Sequence, residues 1–117
     1  MNNTRSKQSG NTWINKDEIT TGNWSIISKG NEIILIFKKN FQTPDGPDLK
    51  LYLSTIKMED IGVNDAIHRA GLLIDNLKAI KGKQEYNLPN KKTLSNYKSL
   101  VIHCEKYTVV WGGINLH

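Results

Sequence analysis

The amino-acid sequence predicts an all-β domain, an antiparallel β-sandwich or flattened barrel of roughly seven to ten strands. An irregular or short helical segment is expected around residues 56–76. Three observations predict this class. From Thr20 onward, short apolar stretches alternate with turn residues at intervals of roughly eight to twelve positions, the rhythm of paired strands. Leu49, Leu51 and Leu53 alternate with Lys50, Tyr52 and Ser54, the period of a strand that buries one face. The longest apolar run, Ile33 to Phe37, has the length of a buried strand and falls far short of the roughly 20 residues that span a bilayer as a helix.

Taken in order, Met1 to Asn11 are polar, without hydrophobic period and without the apolar core of an export signal, so residues 1–12 read as a flexible tail and 13–117 as a single β-rich domain. Asn23 to Ser28 and Glu32 to Phe37 form a hairpin across Lys29-Gly30-Asn31, where Gly30 and Asn31 tolerate positive φ. Pro44, Asp45, Gly46 and Pro47 make a tight loop, because proline fixes φ and cannot donate to a ladder. The Leu49–Ser54 strand follows. Asn64 could cap a short helix with Ala66, Ala70, Leu73 and Leu77 on one face, although Gly71 weakens that pattern. Ile74 to Lys78 then reads as a short strand closed by Gly82. Tyr86 and Leu88 alternate before Pro89, and Asn90 to Asn96 is a polar turn. Ser99 to Cys104 and Tyr107 to Trp111 are the last strand pair, and Gly112-Gly113 allows a bend or bulge before Ile114 to Leu116.

At 117 residues the chain has room for one hydrophobic core and not two. Apolar residues at 38% and charged residues at 23% are ordinary globular usage, which argues against disorder beyond the ends. The net charge of +5 comes from 16 basic residues that are scattered. Lys38-Lys39 and Lys91-Lys92 are the only adjacent pairs, and Arg5 and Arg69 the only arginines. Few planar forks are therefore available for phosphates or guanine edges, and a nucleic-acid partner is not expected.

No GxSxG, Walker, GxGxxG or HExxH pattern occurs, so no catalytic constellation and no metal site is assigned. His68, His103 and His117 lack metal-finger spacing with Cys104. Cys104 is the one cysteine, which excludes an internal disulfide. Strand alternation puts Leu100, Ile102 and Cys104 on one face and Val101 and His103 on the other. Cys104 thus points inward, either as an inert buried thiol or as a reactive one at the strand's rim. His103 reads as a half-exposed histidine that does not pair with Cys104. Asp45 and Asp48 offer two carboxylates in what is more often a plain turn. Trp24, Trp111 and the tyrosines serve either core packing or a sugar-stacking face.

Beyond these local readings, the stretch from Asn23 to Leu116 resembles the DM thirteen domain, a module found beside DOMON domains in Skeletor-type proteins. Asp45-Gly46-Pro47-Asp48-Leu49 through Ser54 is similar to its DGPDL-x-VYLS block, preceded by Asn40-Phe41 as its NF. Leu77-Lys78, Gly82 to Tyr86 and Leu88-Pro89 resemble its LKG-x-x-G-x-Q-x-Y-x-LP run, and Tyr97 to Leu116 its Y-x-S-V-x-I-W-C-x-x-F-x-V-x-F-G pattern. Two departures stand out: His103 replaces the tryptophan before the cysteine, and Tyr107 and Trp111 replace phenylalanines. The resemblance implies a proposed electron-transfer domain whose cysteine, here Cys104, is redox-active as a bare thiol or as a ligand to a prosthetic group such as haem. His103, Tyr107 and Trp111 are the residues expected around it. The family's exported character implies a periplasmic, cell-surface or secreted location and a protein redox partner. The alternative reading is a non-catalytic extracellular module that binds a protein or a glycan.

Overall fold

The computed structural model describes residues 4–116, with side chains from Gln8 onward. Two antiparallel sheets face each other and do not close into a barrel, so of the two predicted architectures the protein adopts the sandwich. One sheet has the order β1 (Thr4–Gly10), β3 (Trp24–Lys29), β4 (Glu32–Phe37), β7 (Gln84–Leu88). The other has the order β2 (Ile14–Asn15), β9 (Val109–Asn115), β8 (Ser99–Cys104), β5 (Leu49–Ser54), β6 (Leu72–Asn76).

The β3–β4 hairpin turns where the sequence places it, with Lys29 opposite Glu32 and Gly30 at φ 63°. That hairpin and β7 send Trp24, Ile26, Ile33, Leu35, Phe37, Tyr86 and Leu88 into the core. The facing sheet contributes Leu49, Leu51, Leu53, Leu100, Ile102 and Ile114. Trp13, Phe37, Phe41 and Tyr86 form an aromatic cluster with ring centroids 4.5–5.7 Å apart. Each such side chain stabilises the fold by about 1.5–3 kcal/mol on burial.

The corner between β6 and β7 is built by polar side chains. Gln84 donates to the carbonyls of Ala79 and Gly82, and the Tyr86 hydroxyl accepts from Lys78 N–H at 2.8 Å. Burial pushes the Tyr86 phenol up to about 12, so it stays a neutral hydrogen-bonding group. Asn90 caps α2 (Lys91–Leu94) by accepting from Thr93 N–H, which places a short helix inside the predicted polar turn.

Several expectations are corrected. Thr4–Gly10, read as flexible tail, pair with β3 as an edge strand, because ladder pairing needs only free backbone groups and no hydrophobic period. Met1 to Asn3 and His117 lie outside the described residues. Asn64 does not cap a helix. Ala66 precedes the four-residue α1 (Ile67–Ala70) without any side-chain cap, and the following strand starts at Leu72 rather than Ile74. Gly112 and Gly113 lie inside β9, and the bulge expected at them falls one residue earlier. The register passes from Ile102 opposite Gly112 to His103 opposite Val110, so Trp111 is the extra residue of a bulge. Gly113 has no substitute, since a Cβ there would meet the Leu100 carbonyl oxygen at 2.1 Å.

The largest departure concerns β5 and β8, whose residues are almost all buried on both faces. Residues 56–70, including a 3₁₀ turn at Met58–Asp60, lie over the outer face of the sheet. There Met58, Ile61 and Ile67 form a second cluster with Tyr52, Val101 and Val110. The predicted irregular segment is thus a cover.

Candidate redox site

Cys104 ends β8 opposite Leu49, and its side chain is fully buried in the main core, as the strand alternation predicts. Its Sγ lies 3.1 Å from the Pro47 carbonyl, to which the thiol donates. Pro47 itself is exposed, so the sulfur sits one layer of backbone beneath the surface. The covering loop, Pro44 to Asp48, is held from several sides. Trp111 Nε1 donates to the Pro44 carbonyl at 2.9 Å, the Glu105 amide donates to the Asp48 carbonyl at 3.1 Å, and Asp45 Oδ1 accepts from Gly46 N–H at 2.8 Å. Asp48 takes φ 60°, a left-handed conformation that aspartate tolerates better than most residues. Gly46 packs against the Trp111 indole, and a Cβ there would come within 2.7 Å of the ring.

Of the residues expected around Cys104, the structure brings together Trp111 and the loop Asp45, Gly46, Pro47 and Asp48. The Trp111 bulge explains how: the extra residue re-aims the indole onto the loop. Tyr107 is elsewhere, 63% exposed in the β8–β9 turn with the Lys106 ammonium 5.7 Å from its ring. Trp13, Trp24 and Trp111 all pack inward, which leaves no tryptophan for a sugar-stacking face. Asp45 and Asp48 spend their carboxylates on Gly46 N–H and on Lys50, and no three His, Cys, Asp or Glu side chains converge on a cation position among the described residues.

His103 is fully buried, which corrects its reading as half-exposed. The strand alternation is right, but the outer face of β8 is covered by α1. His68 on α1 brings its Nδ1 to 3.2 Å from His103 Nε2, and Tyr52 meets the His103 ring edge-on at 5.9 Å. His103 Nδ1 has no hydrogen-bond partner among the described residues. Burial first, and then His68, hold His103 below the ordinary histidine range, so it is neutral. Beside it the Tyr52 hydroxyl donates to Glu105, which also pairs with Lys50 at 3.0 Å. The Tyr52 and Lys50 hydrogen bonds hold the Glu105 carboxyl below the usual range, while burial and then Glu105 push the Tyr52 phenol up. Sequence reasoning missed this cluster. Its members lie on α1, β5, β8 and the turn that follows β8, and no local spacing joins His68 to His103.

A family model described as Electron transfer DM13 matches residues 13–116. The chain belongs to the DM13 electron-transfer family. The role proposed for that family is a redox-related one, and the match starts at Trp13, after the edge strand β1. Comparison with curated proteins and with solved structures finds no match. No helix among the described residues is long and apolar enough to cross a membrane.

Haem, implied by the resemblance for the cysteine of a DM13 domain, does not fit this site. An axial thiolate must present its sulfur to an open face wide enough for a macrocycle. Here the sulfur is fully buried and spends its proton on Pro47, and the Trp111 indole and the loop fill the space beside it. Four surface clefts have linings that do not include Cys104.

Proposed function

We propose that this DM13 domain exchanges electrons through Cys104 as a bare thiol, with the Pro44–Asp48 loop controlling access to it. The observation that supports the reading is the single hydrogen bond between Sγ and the carbonyl of an exposed residue, which leaves the sulfur one loop displacement from solvent. When the loop lifts, the thiol loses its acceptor and gives its proton to water. The resulting thiolate attacks one sulfur of a disulfide-bearing partner. A bond from Cys104 to that sulfur forms, the partner's S–S bond breaks, and the second partner sulfur leaves as a thiolate. A further partner thiolate then attacks the mixed disulfide and releases Cys104. A lone cysteine cannot close a disulfide of its own, so the cycle needs that partner. Such exchange belongs in an oxidising compartment, which agrees with an exported location for the domain.

The experiment is alkylation of Cys104 in the native protein across pH, compared with the same chain in denaturant. Native labelling, together with a mixed disulfide trapped on a model disulfide, supports the reading. Labelling seen only after global unfolding assigns Cys104 to packing and refutes it.

A further inference from the structure

The face of β8 opposite Cys104 carries two imidazoles for which thiol chemistry has no use. The ring centroids of His68 and His103 are 5.4 Å apart and their facing nitrogens 3.2 Å apart, so both nitrogens lie close to the line joining the ring centres. Their lone-pair directions therefore oppose each other along one axis. His103 is fully buried and held still by the Tyr52 ring edge, whereas His68 is half-buried on a four-residue helix and reachable from solvent. We propose that His68 Nδ1 and His103 Nε2 form a two-coordinate site for a soft monovalent cation of the Cu⁺ class.

The donor set selects the ion. Zn²⁺ requires about four ligands and Ca²⁺ six to eight, and no third His, Cys, Asp or Glu converges here among the described residues. A monovalent d¹⁰ ion is satisfied by two opposed nitrogens, and imidazole suits copper. With metal–nitrogen bonds of about 2 Å, the two nitrogens must separate to about 4 Å. A side-chain rotation of His68 supplies the difference. Imidazole must be neutral to ligate, and burial of His103 keeps it so. The Glu105 carboxylate, whose charge is felt at both imidazoles, offsets the single positive charge of the ion.

Protons balance within the pair. Without the ion, His103 carries its proton on Nε2 and donates to His68 Nδ1, the tautomer that leaves only a bare acceptor at its unpartnered Nδ1. Binding places the ion on Nε2 and moves that proton to Nδ1, whose N–H then has no partner among the described residues, a cost that the two metal–nitrogen bonds must offset; no net proton is released. The tautomer inversion at His103 is the signature of this site.

The test uses the full chain with Cys104→Ser, which removes the competing thiol, titrated with Ag⁺ and, without oxygen, with Cu⁺. Imidazole ¹⁵N spectra are the readout. The expected result is uptake of one ion per chain, inversion of the protonated and bare nitrogens of His103, and binding at least about tenfold weaker in His68→Gln. If the serine variant does not fold, the wild-type chain gives the same imidazole readout. Absence of uptake, an unchanged His103 pattern, equal affinity in His68→Gln, or Zn²⁺ bound as tightly as Ag⁺ would each overturn the proposal.

Discussion

Replacing Gly46 by alanine tests whether the loop governs access to Cys104. The added Cβ would stand 2.7 and 2.8 Å from two carbons of the Trp111 ring, where 3.4 Å is ordinary contact. The indole is only 7% exposed and anchored through Nε1 to Pro44, so the loop must move outward instead. That movement lengthens the Cys104–Pro47 and Trp111–Pro44 hydrogen bonds, each contributing about 0.5–1.5 kcal/mol. Overpacking of this kind costs about 1–3 kcal/mol, which corresponds to an increase of about 5- to 150-fold in the loop-open population. Under conditions where closing outpaces labelling, the alkylation rate of Cys104 rises by the same factor. The assay is the rate of iodoacetamide labelling at low denaturant, beside global stability from urea unfolding and exchange of the Glu105 amide bonded to Asp48. Labelling that rises only in step with the fall in global stability, with the same urea dependence as global unfolding, would refute the reasoning, because the sulfur would then be reached only by unfolding the sandwich.

Other outcomes follow from the same geometry. The depressed protonation of His103 contributes stability that is present above the unfolded-state value of about 6.5 and lost as pH falls below it. The urea midpoint should therefore drop between pH 7.5 and 5.5, with a smaller slope in His103→Phe; equal slopes would remove His103 as the cause. Tyr52→Phe should return the Glu105 carboxyl towards the ordinary carboxylate range, visible in a ¹³C-detected titration, since the Tyr52 hydroxyl is the largest influence holding it down. The part of stability that depends on ionised Glu105 is then lost at a higher pH than in wild type. Leu51→Ala, which empties a fully buried position between the sheets, should destabilise the domain by about 2–5 kcal/mol in denaturant unfolding; a loss under about 1 kcal/mol would mean that the core collapses around the gap.

The antiparallel all-β class, the β3–β4 hairpin, the strands at 49–54 and 99–104, the alternation of Tyr86 and Leu88, and the inward direction of Cys104 were all legible in the sequence. Each depends on a periodicity of two or on turn residues with special φ, which are properties of neighbouring positions. The block Asp45-Gly46-Pro47-Asp48 was also legible as a loop, and so was the family that its motifs carry. Its role over Cys104 was not, because that role depends on Trp111, more than sixty positions away.

What only the tertiary structure decided is what covers each strand. Alternation states which residues share a face, but whether a face meets water or another segment depends on where distant parts of the chain come to rest. Residues 56–70 carry little periodicity, yet they bury the outer face of β5 and β8 and turn His103 from a half-exposed residue into a sequestered one beside His68. The edge strand β1 was hidden for a related reason: a polar segment pairs through its backbone, and the backbone is the same in every sequence.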